Sequence, residues 1–313
     1  MEIYKTQSPI ASKSNWLLSL VVVVLITFGV LILLQGIAVL LIPPLFGISL
    51  DELPRLLSLQ SESPKSRMAF LFLQGLGGGL GFLGAAYIIV KWLDKADIGV
   101  QQQVQRFKFI GLGLTFLITL GAVLFNALLI DWNANISLPG FLSELEDYAR
   151  LKEDELLAIT KFLTDFQNLG EFLLGLLVIG ILAGIGEEVL FRGVLQPKLQ
   201  FYTGNPHAGI WLAAFIFSAI HMQFYGFFPR MFLGAVFGYL YHYSGSLGYA
   251  IFAHMLNNVF TVVMVYLNSL GQVEFDIEAT DQVSLPIALL GLVILVGAFK
   301  VFKEKSQTLA IDG

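Results

Sequence analysis

The chain has 313 residues, of which 56% are hydrophobic and only 13% charged, and its formal net charge is −5. With a mean hydropathy of +0.77, it carries more apolar surface than a soluble fold can hide, because surface-to-volume scaling leaves too much of it wet; a bilayer can accommodate it. Cysteine is absent, which excludes a disulfide framework and thiol chemistry, and a pI near 5.4 with no basic stripe argues against a nucleic-acid partner.

A membrane span takes about 20 mainly apolar residues. Eight segments qualify: 16–42, 69–92, 109–131, 171–197, 208–224, 230–243, 249–268 and 284–302. The expected fold class is therefore all-α, a polytopic transmembrane helix bundle of about eight spans plus an amphipathic interfacial helix. The first run is too long for a signal peptide, and Pro43-Pro44 follow it where a small-residue cleavage site would stand, so it reads as a retained span. The sixth is short and is expected to be tilted, broken or extended into its loops.

Lys and Arg set the orientation. With the N-terminus inside, the inner segments carry Lys5, Lys13, Lys91, Lys95, Arg106, Lys108, Arg192, Lys198, Lys300, Lys303 and Lys305, and the outer ones Arg55, Lys65, Arg67, Arg150, Lys152, Lys161 and Arg230. This excess places both termini in the cytoplasm, which an even number of spans satisfies.

Residues 1–131 form a three-span region with few polar groups inside. Its run Gly75-Leu76-Gly77-Gly78-Gly79-Leu80-Gly81-Phe82-Leu83-Gly84 formally matches a dinucleotide fingerprint at 79–84, but no strand precedes it and no βαβ pattern surrounds it. Small residues at Gly75/Gly79 and Gly77/Gly81 instead suit close approach of two membrane helices. Residues 132–170 are the longest polar segment. Leu145, Tyr148, Leu156, Ile159, Leu163 and Phe166 recur at mostly helical spacing there, with acidic residues on the other face, so the segment reads as amphipathic helix at the membrane surface. Surface packing is preferred for it over roofing a cavity. Asn135-Ile136-Ser137 is a formal glycosylation sequon without support.

The third region, 171–268, holds the expensive residues, since a charge at mid-helix in a bilayer costs about 2.5–3.5 kcal/mol on the translocon scale. In Gly186-Glu187-Glu188-Val189-Leu190-Phe191-Arg192, Glu188 and Arg192 are four apart and share a helix face in the favourable order. Glu187 points about 100° away and is left to face a cavity. The bland alternative is that both carboxylates neutralise Arg192. In Phe217-Ser218-Ala219-Ile220-His221, Phe217 lies one turn before His221 and can pack on its ring; a lone histidine in an apolar helix is more often a hydrogen-bonded core residue. In His254-Met255-Leu256-Asn257-Asn258, His254 and Asn258 share a face, and interhelical hydrogen bonding alone could account for them. The three clusters together, on the fourth, fifth and seventh spans, point to acid–base chemistry. His207, in a loop, and His242, near a span end, do not join them. Residues 269–313 are the last span and tail.

Glu-Glu-x-x-x-Arg, Phe-x-x-x-His and His-x-x-x-Asn in that order resemble the CPBP family of CAAX-processing and bacteriocin-processing (Abi) intramembrane proteases, which includes the type II CAAX prenyl endopeptidases. The resemblance covers roughly 175–268. It implies that Glu187 and His221 activate the attacking water, that His254 and Asn258 stabilise the oxyanion, and that Glu188 and Arg192 fill the remaining motif positions. It also implies a protein or peptide substrate at the bilayer, with a lipidated one among the candidates, and location in a bacterial inner membrane. The family is often labelled as metalloproteases; Glu187, His221 and His254 would then be ligands of a divalent metal such as zinc. The chain lacks His-Glu-x-x-His, and an asparagine suits an oxyanion better than zinc, so a metal-free glutamate mechanism is preferred. A transporter or proton relay would also bury such residues but should show paired repeats, and none is found; a catalytically silent scaffold or immunity factor is the other rival.

One geometric tension stands. Counting 1.5 Å per residue puts Glu187 about 16 Å inward from Lys198 and His254 about 8 Å from the inner end of its span, while His221 falls near the outer end of a span starting at 208. Tilted or short fifth and sixth helices are needed to bring the three together.

Overall fold

The computed structural model describes residues 8–277, 279 and 283–311, without the side chains of 307–311. Among these the chain is helical throughout, with no strand. The long elements are α1 (Trp16–Phe46), α2 (Ser66–Leu93), α3 (Phe109–Ala134), α4 (Ser143–Thr164), α5 (Leu169–Thr203), α6 (Pro206–Ala219), α7 (Phe227–Ser244), α8 (Leu247–Ser269) and α9 (Leu285–Ile311). Six are long and apolar enough to cross a membrane: α1, α2, α3, α5, α8 and α9. The expected eight spans each correspond to a helix, but α6, with only 14 residues, and α7 do not meet that measure.

Helix ends follow local chemistry. Thr203-Gly204-Asn205-Pro206 stops one helix and starts the next. Gly204 takes the left-handed conformation at φ 67, which glycine adopts without steric cost. Asn205 caps α6 by accepting from the backbone N–H of His207 and Ala208 at 2.9 and 3.3 Å, and Pro206 fills the first helical position. α1 runs through Pro43 and Pro44, beyond its expected end, to a left-handed cap at Gly47.

The glycine run of α2 lets three helices meet. A Cβ on Gly77 or Gly81 would press on Gln35 or Leu31 of α1, and one on Gly75 or Gly79 on Val178 or Leu182 of α5. A Cβ on Gly186 would collide with the carbonyl of Gly79. This backbone contact, the close packing expected of small residues, seats the Glu187 segment of α5 against α2. Below it, Lys198 is 2% exposed and donates to both oxygens of Asp94, each at 2.7 Å. Arg192 is 1% exposed.

The short α6 resolves the depth tension. Fourteen residues rise only about 21 Å, against a hydrocarbon core of about 30 Å. The chain turns directly after this short helix, and His221 sits in that turn. Asn133, at the end of α3 and fully buried, clamps the turn from both sides. Its Nδ2 donates to the Phe224 carbonyl at 3.1 Å and its Oδ1 accepts from Phe228 N–H at 3.0 Å. Ser218 Oγ adds a bond to the Phe227 carbonyl at 2.6 Å.

Candidate active site

π-helical turns at Leu176–Leu182 and Phe191–Leu195 flank the straight turns of α5 that carry Glu187 and Glu188. Such turns often mark functional sites. As the 100° step between them requires, the two carboxylates go to different places. Glu188 is fully buried; its Oε1 accepts from Arg192 Nη1 at 2.6 Å and from His254 Nδ1 at 2.8 Å. Arg192 also donates through Nη2 to the Gly234 carbonyl at 2.9 Å and lies 4.6 Å over the Phe217 ring. The expected Glu188–Arg192 pair is thus present, extended by a bond to His254 on α8.

Glu187 faces a cavity of about 520 Å³ that His221 and Gln223 also line. His221 Nδ1 lies 2.7 Å from the Phe217 carbonyl. A carbonyl only accepts, so Nδ1 bears the proton and, in the neutral ring, Nε2 carries the lone pair. Phe217 packs edge-on against this imidazole at 5.1 Å, as its spacing predicts.

His254 sits behind the cavity wall, 6% exposed. Its Nδ1 donates to Glu188, and its Nε2 lies 3.7 Å from Glu187 Oε2. Phe237 stacks on the ring at 5.2 Å. Asn258 does not line the Glu187 cavity. It opens on a neighbouring one of about 220 Å³; Thr160, Leu163 and Ile179 line both. Its Nδ2 donates to the Ile179 carbonyl at 3.1 Å, and its Oδ1 accepts from Asn257 at 3.2 Å.

The amphipathic α4 is more than a surface helix, contrary to the preference drawn from sequence. Leu156, Ile159, Thr160 and Leu163 form a wall of the Glu187 cavity. The apolar periodicity is satisfied by a chamber at its C-terminal half, while Leu145 and Tyr148 remain exposed. Arg67 anchors that half, donating to the Phe162 carbonyl, Asp165 and Glu171 at 2.7, 3.0 and 2.6 Å. Glu153 ties α4 to the His221 turn, accepting from Gln223 Nε2 at 3.0 Å and Tyr225 N–H at 3.2 Å. Burial pushes the Glu153 carboxyl above the usual range, against the opposing pull of these bonds and of Arg230. Arg230 completes the brace through Nη2 to Gln223 Oε1 at 2.6 Å.

Among the described residues, no group of three or more His, Asp or Glu side chains converges on a point that could hold a metal ion. With Nδ1 of His254 on Glu188 and Nδ1 of His221 on a carbonyl, each ring has Nε2 left to act, the same arrangement that metal-ligating histidines use. Sequence reasoning missed Asn133, Glu153, Gln223 and the Asp94–Lys198 pair; each bonds across 70 or more positions, where no periodicity reports it.

Residues 169–260 match a family model described as type II CAAX prenyl endopeptidase Rce1-like. The match covers under a third of the chain, yet it contains all three polar clusters. No curated protein and no solved structure matches the chain.

Proposed function

We propose that this chain, whose residues 169–260 match a type II CAAX prenyl endopeptidase Rce1-like model, is a CAAX-type intramembrane protease of the CPBP kind and cleaves its substrate in the chamber between α4 and α5. The observation that carries this reading is the shared lining: Glu187 and His221 face one cavity walled by an amphipathic helix.

Peptide hydrolysis needs an activated water and donors for the developing oxyanion. A water between Glu187 and the Nε2 lone pair of His221 gives its proton to the carboxylate. The hydroxide oxygen bonds to the scissile carbonyl carbon, and the carbonyl electron pair moves onto oxygen. Protonated Glu187 then delivers the proton to the amide nitrogen, the C–N bond breaks, and the new carboxylic acid passes its proton to the amine, so that a carboxylate and an ammonium leave. His254, when protonated, has its Nε2–H on the Glu187 side, and Glu188 holds the ring by Nδ1. Asn258 keeps one of its two amide N–H groups for the oxyanion, since Ile179 takes the other. Glu188 and Arg192 position His254 and bond no reacting atom. The mechanism uses no metal.

The substrate is a peptide or protein segment reaching the chamber from the membrane, with a prenylated C-terminal peptide as the first class to try. Purified protein in lipid vesicles is given a farnesylated peptide with a CAAX-type end and its unprenylated twin, and products are read by mass spectrometry. Cleavage by the wild type and not by Glu187→Gln is expected. Equal cleavage by both proteins would overturn the assignment of the base.

A further inference from the structure

A second cavity, of about 470 Å³, shares no lining residue with the Glu187 cavity and lies between α7 and α9, with α6 at its edge. Its volume falls within the about 300–1,000 Å³ usual for small-molecule sites. It exists because α9 packs tightly on α3, where a Cβ on Gly121 would strike the Gly291 carbonyl at 2.6 Å, and only loosely on α7. Phe232, Val236, Leu295 and Phe299 make its apolar length. Val296 lines it too and is 61% exposed, so the groove opens sideways toward lipid.

One end of the groove is different. Trp211, Tyr239 and Tyr243 gather there with Lys300 and Lys303, and no Asp or Glu is among the described residues lining it. Lys303 Nζ stands 4.9 Å over the Tyr243 ring. Tyr239 is fixed by His207 Nδ1 at 2.9 Å from its hydroxyl and stacks on Tyr243 at 5.8 Å. His242, 5.2 Å from Tyr243, adds no negative charge. An apolar slot open to the bilayer, ending in two lysines and hydroxyl-bearing rings, matches a molecule with a long hydrocarbon tail and an anionic head. Basic pockets between membrane helices bind acidic headgroups in this way, and aromatic residues mark the headgroup level.

We infer that the α7–α9 groove is a binding site for an acidic phospholipid, its phosphate between Lys300 and Lys303 and one acyl chain along Phe232, Val236 and Phe299. The site is independent of proteolysis.

The test is thermal unfolding of the full-length protein in neutral detergent, titrated with phosphatidylglycerol or phosphatidylcholine. Ligands that bind only the folded state raise the melting temperature with concentration. Phosphatidylglycerol should raise it saturably and phosphatidylcholine should not. The double variant Lys300→Gln/Lys303→Gln should need at least tenfold more phosphatidylglycerol for the same rise. Val296→Trp, which fills the groove from an exposed position, should also blunt it. Arg55→Gln/Lys65→Gln, outside the groove, should behave as wild type. Equal stabilisation by the two lipids, an equal loss in the Arg55/Lys65 variant, or the same rise with inorganic phosphate alone would each overturn the assignment.

Discussion

His254 donates its Nδ1–H to Oε1 of Glu188 at 2.8 Å, across 66 positions of sequence, and the same oxygen receives Arg192 Nη1 at 2.6 Å. With Arg192 Nη2 on the Gly234 carbonyl, one carboxylate ties α5, α7 and α8 together. Removing one partner of a buried pair leaves the other charge uncompensated, at about 3–5 kcal/mol. Glu188→Ala should therefore melt far below wild type, and Glu188→Ala/Arg192→Met should recover much of the loss. Thermal unfolding of the three proteins checks this; a single variant as stable as wild type would mean that the triad is not under this constraint.

Glu187 bears no such structural duty, since among the described residues its one close partner is His254 Nε2 at 3.7 Å. Glu187→Gln is expected to keep the wild-type melting temperature to within a few degrees. Losing a general base costs about 10²–10⁴-fold in rate, so cleavage should fall by that much. Added chelator should leave the wild-type rate unchanged. A rate that disappears with chelator and returns with zinc would replace the glutamate mechanism.

These two contrasting expectations were already legible in the sequence, because 100° per residue sends Glu187 and Glu188 to different faces whatever the tertiary fold. The glycine run was legible for the same local reason: small residues permit close helix approach. The depth of His221 was less so. It depends on α6 stopping at Ala219, and Ile220-His221 carry no glycine or proline to announce the stop. The reversal is made instead by Met222 at φ 56, rare for a residue with a side chain, and is held by Asn133 from another helix. The wall formed by α4 was half legible. Its apolar stripe is in the sequence, but what the stripe faces is decided by Arg67 and Glu153, whose partners are distant along the chain.

The α2–α5 contact gives a steric prediction. A Cβ on Gly186 would collide with the Gly79 carbonyl, a backbone atom that cannot rotate away, whereas Gly113 has nothing within 4 Å. Gly186→Ala should therefore lower the yield of folded protein and abolish activity. Gly113→Ala should be neutral or stabilising by up to about 1 kcal/mol, as alanine is the better helix former. Both are read from the monodisperse fraction after purification and from melting; a Gly186→Ala protein with wild-type stability would show that α2 and α5 do not approach this closely.

Asn133 provides a way to disturb His221 without touching it. Asn133→Ala leaves the Phe224 carbonyl and the Phe228 N–H without their partner, and each stranded buried group costs about 1–3 kcal/mol. Hydrogen exchange should rise in 220–228 more than elsewhere in α6 and α7. If the turn positions His221 for water activation, kcat should fall while KM changes little. Unchanged exchange in that turn would show that Ser218 and Glu153 suffice to hold it.

The last prediction concerns Thr160, which belongs to the lining shared by the two cavities. This side chain lines both the Glu187 chamber and the Asn258 chamber, so a large residue here should wall one off from the other. Losing one oxyanion donor costs about 10²–10³-fold in kcat. Asn258→Ala should show a loss of that order with KM little changed, provided that Asn258 reaches the oxyanion. Thr160→Trp should then impose a comparable loss on a protein whose Asn258 is intact, while Thr160→Ser stays near wild type. In the double variant Thr160→Trp/Asn258→Ala the two losses should not add, because both remove the same contact. Single-turnover kinetics with the four proteins decides it. Additive losses would mean that Asn258 acts in helix packing through Ile179 alone, and that the oxyanion is met from the His254 side.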